Sequence, residues 1–329
     1  MTGRTDARVA FITGATGCIG TALTKRLSSL GWRVIALVRA EGRAAHLVSL
    51  PGVEILVGDL DERELISNAV RGCDVVFHLA AKVHAPTGTR EAEFMRANVD
   101  GTRNVLDAAT SNMVRRFVFL STAAVYGEAE GVVTETTRPA PSTPYGASKL
   151  EAETLIMSRA NEIGVTVLRL PIVYGPRDRG NFARLVRAIA SGRFFIPGHG
   201  RNVKSMVAVQ NVVDAALLVA RDERAKGQVY LVADAHDYSL NEIVTAIADA
   251  LGRSARFPRL PVGAATAIGG IADAIGGVAR LRLPISADSV RKLAANTRCS
   301  SEKIRSELGF APTVSLREGL AEVVREIAP

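Results

Sequence analysis

Short apolar segments alternate with amphipathic segments through the first half of the chain, and this alternation constrains the fold more than any other feature. Each apolar run is rich in β-branched or aromatic residues and lies next to a stretch with helical apolar spacing. Parallel strands joined by crossover helices produce this pattern, because strands covered by helices on both faces are apolar almost throughout. The sequence therefore predicts an α/β fold with a doubly wound parallel sheet, with strands at RVAFIT, RVIALV, VEILVG, DVVFHLA, RFVFLS and VTVLRL.

The alternation ends near Pro171, where proline and glycine become frequent in LPIVYGPRDRGN and FFIPGHGRN. Segments with helical apolar spacing follow near residues 209–221, 239–251, 286–294 and 315–327. We expect a first domain over residues 1–175, to which a segment near 203–233 returns, and a smaller second domain made mainly of residues 176–329.

The composition argues against several classes of protein. The chain has 329 residues, of which 47% are hydrophobic and 22% charged, so it can bury a substantial core. Its net charge of +8 comes mainly from scattered arginines, without the polybasic run or aromatic platform of a nucleic-acid-binding protein. Cys18, Cys73 and Cys299 are too widely separated for a disulfide framework, and no His or Cys pair has metal-ligand spacing.

The sequence also predicts a cytoplasmic protein with no membrane partner. The N-terminal MTGRTDAR lacks the apolar core of a signal peptide, and the cysteine usage fits a reducing compartment. The stretch Pro261–Ala279 is rich in Gly and Ala but only weakly hydrophobic, and Asp273 interrupts it. We expect a buried or half-buried helix there rather than a membrane span.

A glycine-rich loop, TGATGCIG, follows the first strand and precedes a helical segment. Gly14, Gly17 and Gly20 allow the backbone to turn sharply and approach a pyrophosphate, which the N–H groups of the helix N-terminus bind. The spacing G-x-x-G-x-x-G is one residue wider than the commoner dinucleotide fingerprint, and a tight strand-to-helix turn would also use glycines. The strand-loop-helix-strand context favours dinucleotide binding.

The end of the second strand bears on which dinucleotide binds. An NAD site usually has an acidic residue there to accept hydrogen bonds from the ribose, whereas this chain has Val38 and Arg39. Arg39, helped by Arg43, can pair with a 2′-phosphate, which favours NADP over NAD. Alternatively, Arg39 is solvated and Glu41 contacts the ribose.

The third strand ends in VGDL, where Asp59 can accept a hydrogen bond from the adenine amino group. Asp59 can equally cap the helix that DERELI begins. Both interpretations stay open from the sequence.

Tyr145 and Lys149 lie four residues apart in TPYGASKLEAETLI, on a helix that we expect Pro144 to begin, so both side chains face the same way. A lysine ammonium beside a phenol stabilises the phenolate and lowers the pKa of the phenol, which makes the tyrosine an acid/base near neutral pH. The motif Y-x-x-x-K alone is a common accident. Together with the glycine loop and the hydroxyls of Ser121 and Thr122 at a strand end, it predicts a catalytic site.

These features resemble the short-chain dehydrogenase/reductase superfamily in its extended, nucleotide-sugar-modifying branch, the NAD-dependent epimerase/dehydratase family. The resemblance covers nearly the whole chain and implies a Rossmann-like sheet with a smaller C-terminal substrate-binding domain. Its motifs are TGATGCIG, GDL, HLAA, NVDGTRNVLDAA, STAAVYG, YGASK, RLPIVYGP, GHGRNVKSMVAVQNVVDA, YSLNEIVTAIADALG and CSSEKIRSELGFAPTVSLREGL.

The resemblance assigns catalytic roles to Thr122, Tyr145 and Lys149. It implies that Tyr145 exchanges a proton with a sugar hydroxyl or carbonyl, that Lys149 holds the nicotinamide ribose, and that Thr122 bonds the same oxygen as Tyr145. Ala80 and Ala81 would pass close to the cofactor, Asn98 would be structural or cofactor-side, and His78 structural. The cofactor-binding residues so implied are Gly14, Gly17, Cys18, Ile19, Gly20, Arg39, Asp59, Leu60, Ala80, Ala81, Asn98, Ser121, Tyr145 and Lys149.

Two alanines after the hydroxyl pair bear on the reaction. The 4,6-dehydratases of this family have Asp and Glu at these positions, because eliminating water needs an additional acid and base. This chain has Ala123 and Ala124, so the resemblance predicts a reaction other than dehydration.

The resemblance also implies a nucleotide-diphosphate sugar as substrate. Asn181 would contact the diphosphate or cap the following helix. Lys204 stands where the family often has Arg, and lysine keeps the positive charge but cannot form two parallel hydrogen bonds as the guanidinium does. The substrate-binding residues so implied are His84, Thr122, Asn181, Arg201, Lys204 and Arg282. For His84, a plain surface histidine is the favoured alternative.

The sequence thus predicts an NAD(P)-dependent oxidoreductase that reduces a 4-keto sugar nucleotide, of the kind used in polysaccharide biosynthesis. The first alternative is a UDP-sugar 4-epimerase with tightly bound NAD. A reductase of hydrophobic ketones and a non-catalytic NADP sensor are less favoured alternatives. By family analogy we expect a homodimer that pairs through helices near 91–110 and 144–163.

Overall fold

The computed structural model describes residues 8–83, 90–178, 180–279 and 286–327, except for the side chains of 181, 271–279 and 327. Its strands are β1 (Val9–Thr13), β2 (Arg33–Val38), β3 (Val53–Val57), β4 (Val75–His78), β5 (Arg116–Thr122), β6 (Val132–Val133), β7 (Gly164–Leu170), β8 (Ile172–Tyr174), β9 (Ile196–Pro197), β10 (Val203–Lys204), β11 (Met206–Ala208), β12 (Gln228–Leu231), β13 (Tyr238–Ser239), β14 (Arg259–Leu260) and β15 (Arg298–Cys299).

The α-helices are α1 (Cys18–Ser29), α2 (Ala45–Val48), α3 (Arg63–Ala69), α4 (Glu91–Met95), α5 (Gly101–Ser111), α6 (Pro144–Met157), α7 (Asn181–Ala190), α8 (Val209–Arg221), α9 (Leu240–Ala250), α10 (Val262–Ala279), α11 (Ala287–Ala294), α12 (Glu302–Leu308) and α13 (Leu316–Ile327). A π-helical segment, Arg96–Asp100, joins α4 to α5. Short 3-10 helices lie at Glu41–Arg43, Ala123–Tyr126 and Glu223–Ala225.

Seven strands form one sheet in the order β12-β7-β5-β4-β1-β2-β3, and every pairing in it is parallel. Strand β1 pairs with β2 on one side and with β4 on the other, so the direction of winding reverses between β1 and β4. Sheets of this kind bind ligands beyond the carboxyl ends of the strands at the reversal. The predicted doubly wound parallel sheet is confirmed.

Helices cover both faces of the sheet. On one face Phe117 and Phe119 of β5 pack in a buried cluster with Val105 of α5 and Ile156 of α6. On the other face α8 packs on β5 and β7 and lies against α1. Because both faces are buried, the strands have the nearly continuous apolar sequence from which the sheet was predicted.

The chain forms two compact units. The first contains Met1–Pro171, Val209–Val232 and Cys299–Ala311, and the second contains Ile172–Ala208, Ala233–Arg298 and Pro312–Pro329. In the second unit, α7, α9 and α13 pack around a core that includes Phe182, Ile243 and Leu320.

The segment Cys299–Ala311 belongs to the first unit, although its sequence pattern did not indicate this. Lys303 of α12 donates to the Val229 carbonyl oxygen of the edge strand β12 at 3.1 Å, and Tyr230 donates to the Glu307 carboxylate at 2.8 Å. These polar contacts attach α12 to the edge of the sheet.

The Gly/Ala-rich stretch forms helix α10, as expected. Ala265 is buried, whereas Val262 and Ile268 are 40% and 44% exposed. None of the helices within the described part of the chain is both long and apolar enough to cross a membrane.

Gly127 and Gly131 make a matched test of backbone packing near the end of β5. Both have left-handed φ angles, of 64° and 75°, but a Cβ at Gly127 would clash with the Ala140 carbonyl oxygen while a Cβ at Gly131 meets nothing within 4 Å. We expect Gly131→Ala to lower the free energy of unfolding by about 1–2 kcal/mol. Gly127→Ala should lower the free energy of unfolding by roughly 1–3 kcal/mol more than Gly131→Ala, because the Ala140 carbonyl must move to make room for the Cβ. Denaturant unfolding of both variants checks this, and equal losses would contradict it.

Candidate active site

The glycine loop forms a tight turn at the carboxyl end of β1. Gly14 has a φ of 72°, and its carbonyl oxygen accepts a hydrogen bond from the Gly17 N–H at 3.1 Å. A Cβ at Gly14 would lie 2.8 Å from the Ala80 nitrogen, and one at Gly20 would lie 2.7 Å from the Ala15 Cα. Residues 14 and 20 must therefore be glycine for the turn to close in this form.

The turn leads directly into helix α1. Gly17 is the N-cap and has no side chain with which to cap the helix, and the first turn contains no acidic residue. The first-turn N–H groups, from Cys18, Ile19 and Gly20, point out of the helix end, where the helix dipole favours an anion. This combination fits the diphosphate of a dinucleotide.

The exit of β4 lies against the glycine loop. The Ala80 N–H donates to Thr13 Oγ1 at 3.2 Å, and Thr13 Oγ1 lies 2.7 Å from His78 Nδ1. His78 Nε2 lies 2.9 Å from Thr102 Oγ1 on α5. Burial, assisted by the charge of Lys149, lowers the pKa of His78 to about 3, so the imidazole is neutral and has a structural role. Ala80 is thereby placed beside Gly14 where the winding reverses.

Asn98 connects two parts of the site from the π-helical segment. Its Oδ1 accepts from the Lys82 N–H at 2.7 Å, and its Nδ2 donates to the Lys82 carbonyl oxygen at 3.1 Å and to Ser148 Oγ at 2.9 Å. Asn98 therefore holds the segment after Ala81 against helix α6. Its contacts match the structural interpretation of this residue.

The exit of β2 presents both candidate ribose contacts to solvent. Val38 is buried, whereas Arg39, Glu41 and Arg43 are exposed.

Asp59 does not cap helix α3. The N-cap of α3 is Glu62, and Glu62 Oε1 accepts from the Asp59 N–H at 2.7 Å. The capping interpretation of Asp59 is therefore wrong, and its exposed carboxylate accepts from the adjacent Leu60 N–H. The Leu60 carbonyl oxygen accepts from Asn104 at 2.8 Å, which ties this loop to α5.

Thr122 and Tyr145 meet at the carboxyl end of β5. Pro144 is the first residue of α6, and the Thr143 hydroxyl caps the helix by accepting from the Gly146 N–H at 3.1 Å. Thr122 Oγ1 accepts from the Ala124 N–H at 3.1 Å and is hydrogen-bonded to the Tyr145 hydroxyl. The Thr122 hydroxyl therefore connects the Tyr145 phenol to the backbone that follows β5.

Burial determines the titration of Tyr145 and Lys149. Burial raises the pKa of Tyr145 to about 12, and the hydrogen bond from Thr122 opposes this rise. Lys149 is 1% exposed, and its Nζ lies 3.7 Å from the centre of the Phe119 ring. Burial lowers the pKa of Lys149 to about 7, while the charge of Glu153 raises it. The expected lowering of the Tyr145 pKa by Lys149 is therefore wrong for the protein alone, because loss of hydration sets the direction of the shift and the opposing effect comes from Thr122.

A buried polar network behind Lys149 was missed from the sequence. The Ser121 hydroxyl donates to Glu153 Oε1, and Arg169 of β7 donates from Nε and Nη2 to Glu153 Oε2 at 3.0 and 2.6 Å. Arg169 Nη1 also donates to the Tyr126 hydroxyl at 2.6 Å. The spacing of Glu153, four residues after Lys149, was the signal that could have found it.

Lys204 is the best-defined substrate candidate in the second unit. It is 4% exposed, its Nζ donates to the Lys292 carbonyl oxygen at 2.6 Å, and burial lowers its pKa to about 8. Within the described ranges no carboxylate lies at ion-pair distance from it. Arg201 is exposed.

The other substrate candidates are less defined. Helix α7 has Gly180 as its N-cap, and Asp178 accepts from the N–H groups of Gly180 and Ala183, so the capping interpretation of Asn181 is wrong. His84 and Arg282 lie outside the described residues. Among the side chains that are described, no group of three His, Cys, Asp or Glu residues could hold a metal ion.

Comparison with known proteins gives consistent matches. The model of the NAD dependent epimerase/dehydratase family matches residues 10–233. The 4-hydroxy-2-methyl-3-oxo-4-farnesyl-3,4-dihydroquinoline-1-oxide ketoreductase of Stigmatella aurantiaca is 33% identical over 327 residues, covering 97% of this chain and 96% of that protein. The N-acetyl-alpha-D-glucosaminyl-diphospho-ditrans,octacis-undecaprenol 4-epimerase of Escherichia coli O157:H7 is 31% identical over 268 residues, covering 80% of each chain.

Among solved structures, MoeE5 in complex with UDP-glucose and NAD superposes with a TM-score of 0.76 at 29% identity, covering 96% of this chain and 97% of that one. The family match includes the glycine loop, Thr122, Tyr145 and Lys149. The chain therefore belongs to the NAD dependent epimerase/dehydratase family.

Proposed function

We propose that this protein is an NAD(P)-dependent ketoreductase that reduces the keto group of a 4-keto sugar nucleotide. The observation that carries the proposal is the Tyr145 hydroxyl, which is hydrogen-bonded to Thr122 and has a pKa raised to about 12. A phenol with this pKa is protonated at neutral pH and can donate its proton to the more basic oxygen that forms when a ketone accepts hydride.

The roles of the chain's own residues follow from their positions. Tyr145 Oη donates the proton to the ketone oxygen, and Thr122 Oγ1 orients Tyr145 and the same oxygen. Lys149, one helical turn after Tyr145, places a cation where the ribose is held and where the phenolate forms. A bound dinucleotide supplies the hydride, and the turn of Gly14, Gly17 and Gly20 binds its diphosphate.

Lys204 supports a phosphorylated substrate. A buried ammonium with a backbone carbonyl as partner is stabilised by an anion, and a nucleotide diphosphate provides one. We propose that Arg201, Asn181, His84 and Arg282 contribute to the same substrate. The bound UDP-glucose of the MoeE5 structure is in accord with this substrate class.

Two related reactions have support of their own. The Escherichia coli relative is named as a 4-epimerase, and epimerisation uses the same Tyr145 with retained NAD and no net reductant. The Stigmatella relative is named as a ketoreductase of a farnesylated quinoline oxide, which favours a hydrophobic ketone as the second candidate substrate. Ala123 and Ala124 provide no acid or base for dehydration.

Cofactor consumption separates these reactions. The protein is denatured to identify any bound dinucleotide, and fresh protein is then assayed for NADPH oxidation with UDP- or dTDP-linked 4-keto sugars. We expect one NADPH oxidised per product. Interconversion of two sugars by protein-bound NAD would instead establish an epimerase. Turnover with lipid-like ketones alone would establish a reductase of hydrophobic ketones.

Tyr145→Phe should lower kcat by about 10²–10⁴-fold, because it removes the proton donor. Dinucleotide affinity, measured by the fluorescence of bound NADPH, should change little. Tyr230→Phe is the matched control, because it removes a phenol hydroxyl that contacts Glu307 at the sheet edge. A full loss of dinucleotide binding in Tyr145→Phe would show that the residue is structural.

Arg39→Ala should raise the KM for NADPH by about tenfold or more, because a charged hydrogen bond to the 2′-phosphate is lost. The KM for NADH should stay nearly constant. The exposed Arg26 of α1 supplies the control variant Arg26→Ala, which removes the same charge elsewhere. Equal effects on the two dinucleotides would contradict the assignment of Arg39.

Gly17→Ala should weaken dinucleotide binding by about tenfold or more without lowering stability, because the backbone itself must approach the diphosphate. The nearest atom to a Cβ at this position is the Gly14 oxygen at 3.4 Å, so the protein has room for it. Binding is measured by titration and stability by thermal unfolding. Gly42→Ala, where a Cβ meets nothing within 4 Å, is the control. Unchanged affinity would contradict a dinucleotide at this turn.

A further inference from the structure

Helix α6 carries a third inward-facing group besides Tyr145 and Lys149. Glu153 follows Lys149 by four residues, as Lys149 follows Tyr145, so the three side chains form one row along the helix. Lys149 and Glu153 are 1% and 3% exposed. Burying a carboxylate costs free energy, so its retention beside the site calls for a physical role.

The Glu153 carboxylate is held from two strands. Arg169 on β7 binds both of its oxygens, with contacts of 3.2 Å to Oε1 and 3.0 and 2.6 Å to Oε2. Ser121, at the end of β5, donates to Oε1 and is the neighbour of Thr122. Arg169 is itself fixed by Tyr126, whose ring lies 4.9 Å from the guanidinium carbon. The negative charge therefore has one fixed position.

The groups around Lys149 come from three elements. Phe119 on β5 offers its ring, His78 on β4 is neutral and lies near enough for the lysine charge to lower its pKa, and α6 contributes Glu153. Within the part of the chain that the structure describes, Glu153 is the carboxylate whose charge opposes the loss of the Lys149 proton. Without it, no negative charge among the described residues would act on the ammonium.

We propose that Glu153 is a positioning residue of the catalytic site, which keeps the Lys149 ammonium charged while Ser121 and Arg169 hold the carboxylate in place. The role rests on the proposed function, in which a charged Lys149 holds the ribose and stabilises the Tyr145 phenolate. At the effective dielectric constant of a protein interior, removing one buried charge near Lys149 should change the Lys149 pKa by about one pH unit. Arg169 keeps its own charge when Glu153 alone is neutralised.

The test measures the titration of Lys149 in the protein without cofactor. The chain has seven lysines, so Cε-labelled lysine gives few NMR signals, and Lys149→Met assigns the one of interest. In the parent protein Lys149 should titrate near its pKa of about 7. Glu153→Gln should lower this pKa by about one pH unit. Glu151→Gln, an exposed carboxylate on the opposite face of α6, should leave it unchanged.

Glu153→Gln leaves Arg169 buried without its partner and can unfold the protein. The double variant Glu153→Gln/Arg169→Gln leaves no unpaired buried charge and is the second variant. A folded Glu153→Gln variant with an unchanged Lys149 pKa would overturn the proposal. The double variant removes two opposite charges, so its Lys149 pKa should fall by less than in Glu153→Gln, and a Lys149 pKa that stays the same or rises in the double variant would overturn the proposal as well. The proposal is supported if the Lys149 pKa is lower in Glu153→Gln and returns toward the parent value in Glu153→Asp, which keeps the carboxylate.

The pH profile of turnover gives a second readout. Activity that needs the Lys149 ammonium is lost as the pH rises through its pKa, so the alkaline limb should move to lower pH in Glu153→Gln. A merely structural role for Glu153 would lower kcat at every pH without moving the limb. If the proposed ketoreductase activity is absent, the pH profile of turnover cannot be measured, but the NMR titration of Lys149 still can. Failure of the proposed function is therefore distinguishable from failure of the proposed role of Glu153.

Discussion

The parallel pairing of β1 with both β2 and β4 is the constraint on which the rest of the first unit depends. Because winding proceeds outward in both directions from this point, two loops leave the sheet side by side at its carboxyl edge. One is the glycine turn and the other is the exit of β4 at Ala80, and they are close enough that Gly14 has no space for a side chain. Helices α1, α5, α6 and α8 bury both faces of the sheet behind this edge.

Loss of hydration governs the chemistry at the same edge. It moves the pKa values of Tyr145 and Lys149 in opposite directions, since a phenolate loses its charge on protonation and an ammonium loses its charge on deprotonation. The two pKa values are thereby drawn apart rather than together. A protonated phenol suits donation to a reduced carbonyl oxygen, and an ammonium with a pKa near neutral depends on a nearby carboxylate for its charge.

The sequence predicted those parts of the fold and site that local rules determine. The sheet followed from apolar runs, and the pairing of Tyr145 with Lys149 followed from helical spacing. The attachment of Cys299–Ala311 to the sheet edge could not be predicted, because it depends on a few long-range hydrogen bonds such as that from Lys303 to Val229. The sign of the Tyr145 shift was also missed, because spacing shows that two groups are near but not how much water they lose.

The helix N-caps likewise could not be predicted from residue type alone. Asp59 and Asn181 are both residue types that favour helix N-caps, but α3 begins after Glu62 and α7 begins after Gly180. In α7 the N–H groups bond to Asp178 instead, which lies before the helix in a turn. Propensity identifies which residues can cap, whereas the path of the preceding loop decides which one does. Glu153 is the reverse case, since glutamate rarely lies in a core, and here its carboxylate is buried with Arg169 and Ser121 as hydrogen-bond partners.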